Sequence, residues 1–317
     1  MAIFTGFGKI LGGAEKETPL QQFYYGLVQK NVLVTGSNGQ LGSEIKALTD
    51  GMNLPFRFYY TDADSLDITD ICQIDAFVAD YHIQYLINCA AYTAVDKAET
   101  DAERAYAINA RAVANVGQVA KKYGVKVIHI STDFVFDGKS TVPYTEKMAA
   151  LPLSVYGKSK LEGEEALQAA GGDWIILRTS WMYSQYGANF VKTMIRIMHE
   201  RELLTIVDDQ RGTPTYAADL AEMIIHILQF SEENEWKTGI YHFSNKGETT
   251  WFKFAVLIKK LAGIASCELI PIQSHEYPSA ARRPAYSVMN LSKITSTFHV
   301  EIPEWEEALG RCMRKLI

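Results

Sequence analysis

The chain has 317 residues, enough for one large α/β domain or for two smaller ones that share an interface. With 48% hydrophobic and 21% charged residues, its composition is that of an ordinary globular protein and excludes disordered, collagenous and coiled-coil readings. The formal charge of -6 and the lack of any basic run exclude a surface that tracks a phosphate backbone, so nucleic acid is not an expected partner.

Four widely spaced cysteines, Cys72, Cys89, Cys267 and Cys312, form neither CxxC pairs nor a secreted disulfide framework, which fits a reducing cytoplasm. No stretch approaches the roughly 18 consecutive apolar residues of a membrane helix, and the N-terminus lacks a basic region followed by an apolar core. A soluble, unexported protein with no membrane partner is expected. Residues 1–30 read differently from the rest: Gly6, Gly8, Gly12 and Gly13 punctuate an apolar opening, and 20–28 suggest one or two helical turns. This segment is assigned as an N-terminal extension without a known role.

From Asn31 the pattern sharpens. Val32 to Thr35 is a short β-branched run ending in glycines, followed by Leu41, Ile45 and Leu48 at helical spacing. A strand at Phe56 to Tyr60, a helix at Ile71 to Tyr81 and a strand at Tyr85 to Ala90 come next. They lead to a long helix at Ala102 to Tyr123, a strand at Lys126 to Ser131, a helix at Leu153 to Ala170 and a strand at Asp173 to Thr179. Strands alternating with helices predict an α/β fold, a Rossmann-type doubly wound parallel sheet covered on both faces, over 31–180.

After Trp181 the alternation loosens into a smaller mixed α/β substrate lobe, 181–317, with some helices returning to the first domain. Helices are expected at Asn189 to Glu200, Ala217 to Phe230 and Trp251 to Ala262, and strands at Leu204 to Val207 and Gly239 to Ser244. In the third helix Phe252, Phe254, Ala255, Ile258 and Leu261 share a face and read as core. A cleft between the lobes is the natural ligand site.

Two constellations carry chemistry. The first is Gly36-Ser-Asn38-Gly39-Gln40-Leu41-Gly42 between a strand and a helix. Glycines there permit a tight turn and a close approach of backbone N–H groups to a pyrophosphate, next to the partial positive charge of a helix N-terminus. Asp62 stands at the end of the second strand, where a carboxylate accepts hydrogen bonds from an adenosine ribose and disfavours a 2′-phosphate; Asp64 and Asp67 compete for that position, and each also suits a turn.

The second is Tyr156-Gly-Lys-Ser-Lys160 at the opening of a helix, preceded by Ser131-Thr132-Asp133 at a strand end. Tyrosine and lysine four apart share a helical face. In this reading the ammonium favours the phenolate and brings the phenol closer to a working pH. Tyr156 then donates a proton to a carbonyl oxygen that Thr132 also hydrogen-bonds. His129 within a strand and His226 within a helix read as satisfied buried imidazoles without a part in the chemistry.

The order of these motifs, with Asn88-Cys-Ala90-Ala91-Tyr92-Thr, Arg178-Thr-Ser-Trp181-Met-Tyr183, Asn189-Phe-Val-Lys-Thr-Met194, Asp209-Gln-Arg-Gly-Thr-Pro-Thr215 and Ala281-Arg-Arg283-Pro-Ala-Tyr-Ser287, resembles the extended short-chain dehydrogenase/reductase superfamily and, within it, the dTDP-4-dehydrorhamnose reductase family. The resemblance runs from Asn31 almost to the C-terminus. It implies NADPH or NADH as cofactor, a dTDP-sugar as substrate and a homodimer.

By position, the resemblance implies that Thr132, Tyr156 and Lys160 form the catalytic set. Gly36, Gly39 and Gly42 with Asp67, Ala90, Ala91 and Tyr92 would line the cofactor, while Asp133, Trp181, Asn189 and Arg283 would face the nucleotide-sugar. An arginine suits a diphosphate through its bidentate, permanently charged donors, although Arg282 or Arg283 equally suits a carboxylate partner between the lobes, and Trp181 equally suits a core. The resemblance also implies magnesium (Mg2+), yet no metal-ligand spacing stands out in the sequence, and the ligands stay unassigned. Two other readings remain at this point: a nucleotide-sugar epimerase or dehydratase that recycles a bound nicotinamide, and a non-catalytic binding subunit like the regulatory subunit of methionine adenosyltransferase.

Overall fold

A computed structural model describes residues 29–317; the glycine-punctuated opening and the helical turns expected at 20–28 lie outside the described residues. The first half alternates strictly: β1 (Lys30–Thr35), α1 (Gln40–Thr49), β2 (Phe56–Tyr60), α2 (Ile71–Asp80), β3 (Ile83–Asn88), then α3 (Ala102–Tyr106) and α4 (Ala112–Tyr123). β4 (Lys126–Thr132), α5 (Val155–Ala170) and β5 (Trp174–Thr179) follow. The second half adds α6 (Phe190–Glu200), β6 (Leu203–Val207), α7 (Ala217–Glu233), β7 (Gly239–His242), α8 (Trp251–Leu261), β8 (Glu268–Ile272), α9 (Ser292–Phe298) and α10 (Trp305–Leu316).

Six strands form one parallel sheet in the order β7-β5-β4-β3-β1-β2. Side chains alternate across it. Val32 and Val34 pack with Ile45 of α1 and Leu220 and Ile224 of α7 on one face. Leu33 packs with Ile74 of α2, Val116 of α4 and Leu167 of α5 on the other. Each such buried aliphatic side chain contributes about 1.5–3 kcal/mol through removal from water, so the near-continuous apolar strands are explained by helices on both faces.

Two differences from the sequence reading have physical causes. The long helix expected at Ala102 to Tyr123 is broken by a π-helical turn at Ala107–Arg111. That turn brings the Asn109 carbonyl against α5 at Gly163, where a Cβ would lie 2.0 Å from the Asn109 oxygen; only glycine allows this approach. The strand at 239–242, grouped with the second lobe in the sequence, is the sixth strand of the main sheet. Helix α7 provides the crossover that parallel pairing with β5 requires.

The remaining elements pack beside this sheet. β6 pairs with β8 in a separate two-stranded parallel sheet, while α6, α8 and α10 share a core containing Val191, Phe254, Ile258, Trp305 and Leu309. Phe254, Ala255 and Ile258 of α8 are buried, Leu261 packs at the margin of that core and Phe252 at the margin of the adjoining cluster with Met198 and Leu204, the role expected for the stripe. Helix α10 was not anticipated, although Trp305, Ala308, Leu309, Cys312 and Met313, all buried, carry the spacing that reveals an amphipathic helix.

Candidate active site

The strand order reverses between β1 and β3, and the crevice at such a switch point is where open α/β sheets bind ligands. A cavity of about 750 Å³ opens there, lined by Gly36, Gly39, Gln40, Leu41, Gly42, Asp62 and other residues. Gly36 adopts a φ of +66°, and a Cβ on it would sit 2.6 Å from the Ala90 amide nitrogen. The loop therefore packs against the Cys89–Ala90 backbone so closely that no side chain fits at position 36. No side chain caps α1 at Gly39, which leaves its first amides for a bound anion.

Asp62 and Asp67 both line this cavity and both hold turns. Asp62 accepts from the Asn38 amide at 2.9 Å and the Ala63 amide at 2.8 Å. One oxygen of Asp67 accepts from the amide and hydroxyl of Thr69 at 2.9 and 2.8 Å. The turn and ligand readings of these carboxylates are thus compatible. Ala90 and Ala91 line the same cavity. Tyr92 is buried beside it with Ile108 and Tyr156, its amide donating to Asn109 at 2.9 Å.

The structure brings Thr132, Asp133, Tyr156 and Lys160 together because β4 ends where α5 begins to pack on it. Ser154 caps α5 by accepting from the Gly157 amide at 3.1 Å. Tyr156 packs edge-on to Phe134, with ring centroids 5.6 Å apart, and is hydrogen-bonded to Thr132. Lys160 is 2% exposed, donates to the Ile130 carbonyl at 2.6 Å, and lies with Nζ 3.4 Å from Nε2 of His129.

The electrostatics correct one expectation. Lys160 was expected to hold the phenol acidic; instead burial pushes the Tyr156 phenol up to about 12, the bond to Thr132 opposing the rise and the Asp133 charge adding to it. Burial also lowers Lys160 to about 8, against the attraction of Glu164. The Lys160 amine is directed to the Ile130 carbonyl rather than to the phenol, and desolvation is the largest influence on the phenol. Tyr156 is consequently a neutral O–H at physiological pH, the form that donates a proton.

Asp133 is 1% exposed, with Oδ2 lacking any hydrogen-bond partner. Burial raises its carboxyl to about 6, opposed by hydrogen bonds from Ser287 and Thr132. Ser287 belongs to the 281–287 stretch, which lies across the end of β4: a Cβ on Gly138 would sit 2.6 Å from Pro284.

The outer residues sit differently from expectation. Arg283 forms a bidentate pair with Asp96, at 2.6 and 3.2 Å. The carboxylate alternative thus describes its contacts, not a guanidinium open to a diphosphate, because Asp96 is carried on the short helical turn Val95–Ala98 beside the stretch. Arg282 is exposed. Asn189 is engaged internally: it caps α6 by accepting from the Lys192 amide at 3.1 Å and donates to the Ser184 carbonyl at 2.7 Å and to Gln40 at 3.0 Å, tying α6 to the glycine loop. Trp181 stacks on Trp251, centroids 3.6 Å apart and planes 10° off parallel. One face is thereby covered, and its φ of +45° is strained for a residue with a Cβ.

Sequence reasoning missed Arg104, Ile130, Met182 and Gly187, which are among the further residues of the cavity lining. Arg104 had no signal beyond its helix, since only the fold carries α3 across to the glycine loop. No group of three or more His, Cys, Asp or Glu among the described residues is placed to hold a metal. Among the buried acids, Glu44 accepts from Ser184 and Asp219 pairs with Arg311 and accepts from Asn245, and the described residues offer no donor set that fits magnesium. The four cysteines are unpaired, and among the described residues no helix is long and apolar enough to cross a membrane.

A parallel six-stranded sheet with a glycine cradle at its switch point, beside a half-buried tyrosine and a buried lysine one helical turn apart, defines a Rossmann-like, dinucleotide-dependent oxidoreductase. The family model for the RmlD substrate binding domain matches residues 30–317, and the chain belongs to that family. It is 37% identical over 299 residues to a dTDP-4-dehydrorhamnose reductase of Burkholderia thailandensis, covering 90% of this chain and 99% of that one. It is 38% identical over 293 residues to the enzyme of the same name from Escherichia coli K12, covering 90% and 98%. The crystal structure of dTDP-4-dehydrorhamnose reductase from Bacillus anthracis in complex with NADP superposes with a TM-score of 0.86 at 38% identity, covering 91% of this chain and all of that one.

Proposed function

We propose that the chain reduces dTDP-4-dehydrorhamnose to dTDP-rhamnose with NAD(P)H. The observation that carries this reading is the Thr132–Tyr156 pair, packed with Ile108, which itself lines the glycine-cradled crevice, in a family whose relatives bear the name of that reductase. A reduced nicotinamide supplies hydride to the C4 carbonyl carbon when bound. Gly36, Gly39 and Gly42, with the uncapped amides of α1, hold its pyrophosphate. Asp62 and Asp67 approach its adenosine, and Arg104 offers a cation in the same cavity.

Tyr156 donates its proton to the C4 oxygen as that oxygen gains charge, and Thr132 hydrogen-bonds the same atom. Lys160 anchors the floor of the crevice through Ile130. Asp133 accepts from a sugar hydroxyl, which would satisfy its orphaned oxygen. With Arg283 engaged by Asp96, Arg282 is the guanidinium left for the diphosphate. The unpaired thiols support a cytoplasmic setting.

The test is an initial-rate assay with dTDP-4-dehydro-L-rhamnose and NADPH or NADH in turn. One cofactor oxidised per sugar reduced is the expected result. Sugar conversion without net oxidation would instead identify an epimerase or dehydratase, and cofactor binding without any conversion a regulatory subunit.

A further inference from the structure

The polar chain beneath Lys160 has a direction, and it starts at a group whose role is fixed. A backbone N–H only donates, and the Ala90 amide lies 3.2 Å from Oδ1 of Asn88; the Thr35 hydroxyl reaches the same oxygen at 2.8 Å. The other end of the Asn88 amide is therefore its NH2, which lies 3.1 Å from Nδ1 of His129. Asn88 and His129 are register partners on adjacent parallel strands, so the contact is built into the sheet. Nδ1 must accept. The ring is wholly buried, and a neutral imidazole that accepts at Nδ1 carries its hydrogen on Nε2.

We propose that His129 is a positioning residue for Lys160: Asn88 fixes its ring as the Nε2–H tautomer, so the ring meets Nζ with an N–H and steers the Lys160 hydrogens to the Ile130 carbonyl and the crevice. The inference rests on the reading of Lys160 as part of the catalytic set. An ammonium has three hydrogens and no lone pair, so the 3.4 Å contact between Nε2 and Nζ favours the amine form. Burial acts in the same sense: it lowers His129 well below its ordinary value, keeping the ring neutral, and brings Lys160 down to about 8.

The other titratable groups around Nζ act in the opposite sense or are neutral. Glu164, one turn further along α5, favours the ammonium, but its carboxylate is engaged by Arg178. Cys89, beyond the end of β3, is held as a thiol because burial pushes it up to about 12. Tyr156, a turn earlier, is a neutral phenol. His129 is thus a group from the sheet that meets Nζ with an N–H, adding to the burial that lowers Lys160.

Two measurements test this. In the intact chain labelled with 15N-histidine, with the His129 signals assigned by their loss in His129→Gln, the protonated ring nitrogen should couple to both carbon-bound ring hydrogens, as Nε2 does. Coupling to Hε1 alone places the hydrogen on Nδ1 and overturns the proposal whatever the activity. In His129→Phe, which removes the N–H, the alkaline limb of the kcat/KM profile should move up by about one pH unit, a roughly tenfold change in proton affinity. A uniform loss of rate with the limb unmoved would mean a merely structural ring. If Lys160→Met reacts at the wild-type rate while the tautomer is as stated, the catalytic reading fails and the geometry of His129 stands.

Discussion

The guanidinium of Arg178 meets the carboxylate of Glu164 at 2.6 Å, with the two side chains 4% and 0% exposed. The pair ties β5 to α5, the helix that carries Tyr156 and Lys160, and Ser131 of β4 donates to the same carboxylate at 2.5 Å. Removing one partner leaves the other charge buried and alone, which typically costs about 3–5 kcal/mol. Arg178→Leu should therefore lower the stability in urea by that amount; a loss under about 1 kcal/mol would show that the strand ends do not depend on the pair.

Asp133 should make stability pH-dependent. Its carboxyl, raised by burial to about 6, lies above the ordinary unfolded value, so its contribution is fully present below about pH 4 and is lost as pH rises through 6. Asp133→Asn removes that loss. Relative to wild type, the variant should gain about 2–3 kcal/mol between pH 4 and pH 7 in chemical denaturation, while the KM for the sugar nucleotide rises. An equal gap at both pH values would show that the carboxyl is not buried as charge at neutral pH.

Gly36 tests the cradle. With a φ of +66° and the Ala90 amide in the way, alanine there meets both backbone strain of roughly 1–3 kcal/mol and a clash. Gly36→Ala should weaken NADPH binding by about 10- to 100-fold in titration calorimetry. Unchanged affinity would place the pyrophosphate elsewhere.

The two adjacent arginines should separate. Arg283→Ala breaks a partly exposed pair with Asp96, whose side chains are 24% and 47% exposed, and should cost under about 1 kcal/mol of stability. Arg282→Ala should raise the KM for the dTDP-sugar about tenfold without altering NADPH affinity. The reverse pattern would return the diphosphate contact to Arg283.

Most of the sheet was legible in the sequence because a parallel strand buried on both faces is a run of apolar residues, and glycines punctuate its end. The cofactor loop and the tyrosine-lysine helix were legible for the same reason: their chemistry is local in sequence. What was not legible depends on distant contacts. Arg283 finds Asp96, 187 residues away, Asn189 finds Gln40, 149 residues away, and no spacing rule encodes either. The π turn at 107–111 answers to Gly163 on another helix. The acidity of Tyr156 is not legible from spacing, which places a lysine one turn away but gives neither the direction of its amine, taken by the Ile130 carbonyl, nor the desolvation that raises the phenol. Helix α10 is local as well, since its buried residues Trp305, Ala308, Leu309 and Cys312 recur at helical spacing.

The central claim is that the neutral Tyr156 phenol delivers the proton to the sugar carbonyl. Single-turnover reduction of dTDP-4-dehydro-L-rhamnose by NADPH-loaded Tyr156→Phe measures it most directly, with NADPH affinity determined on the same sample. The rate should fall by about 100- to 10,000-fold with cofactor affinity and melting temperature unchanged; reduction at the wild-type rate would contradict the assignment.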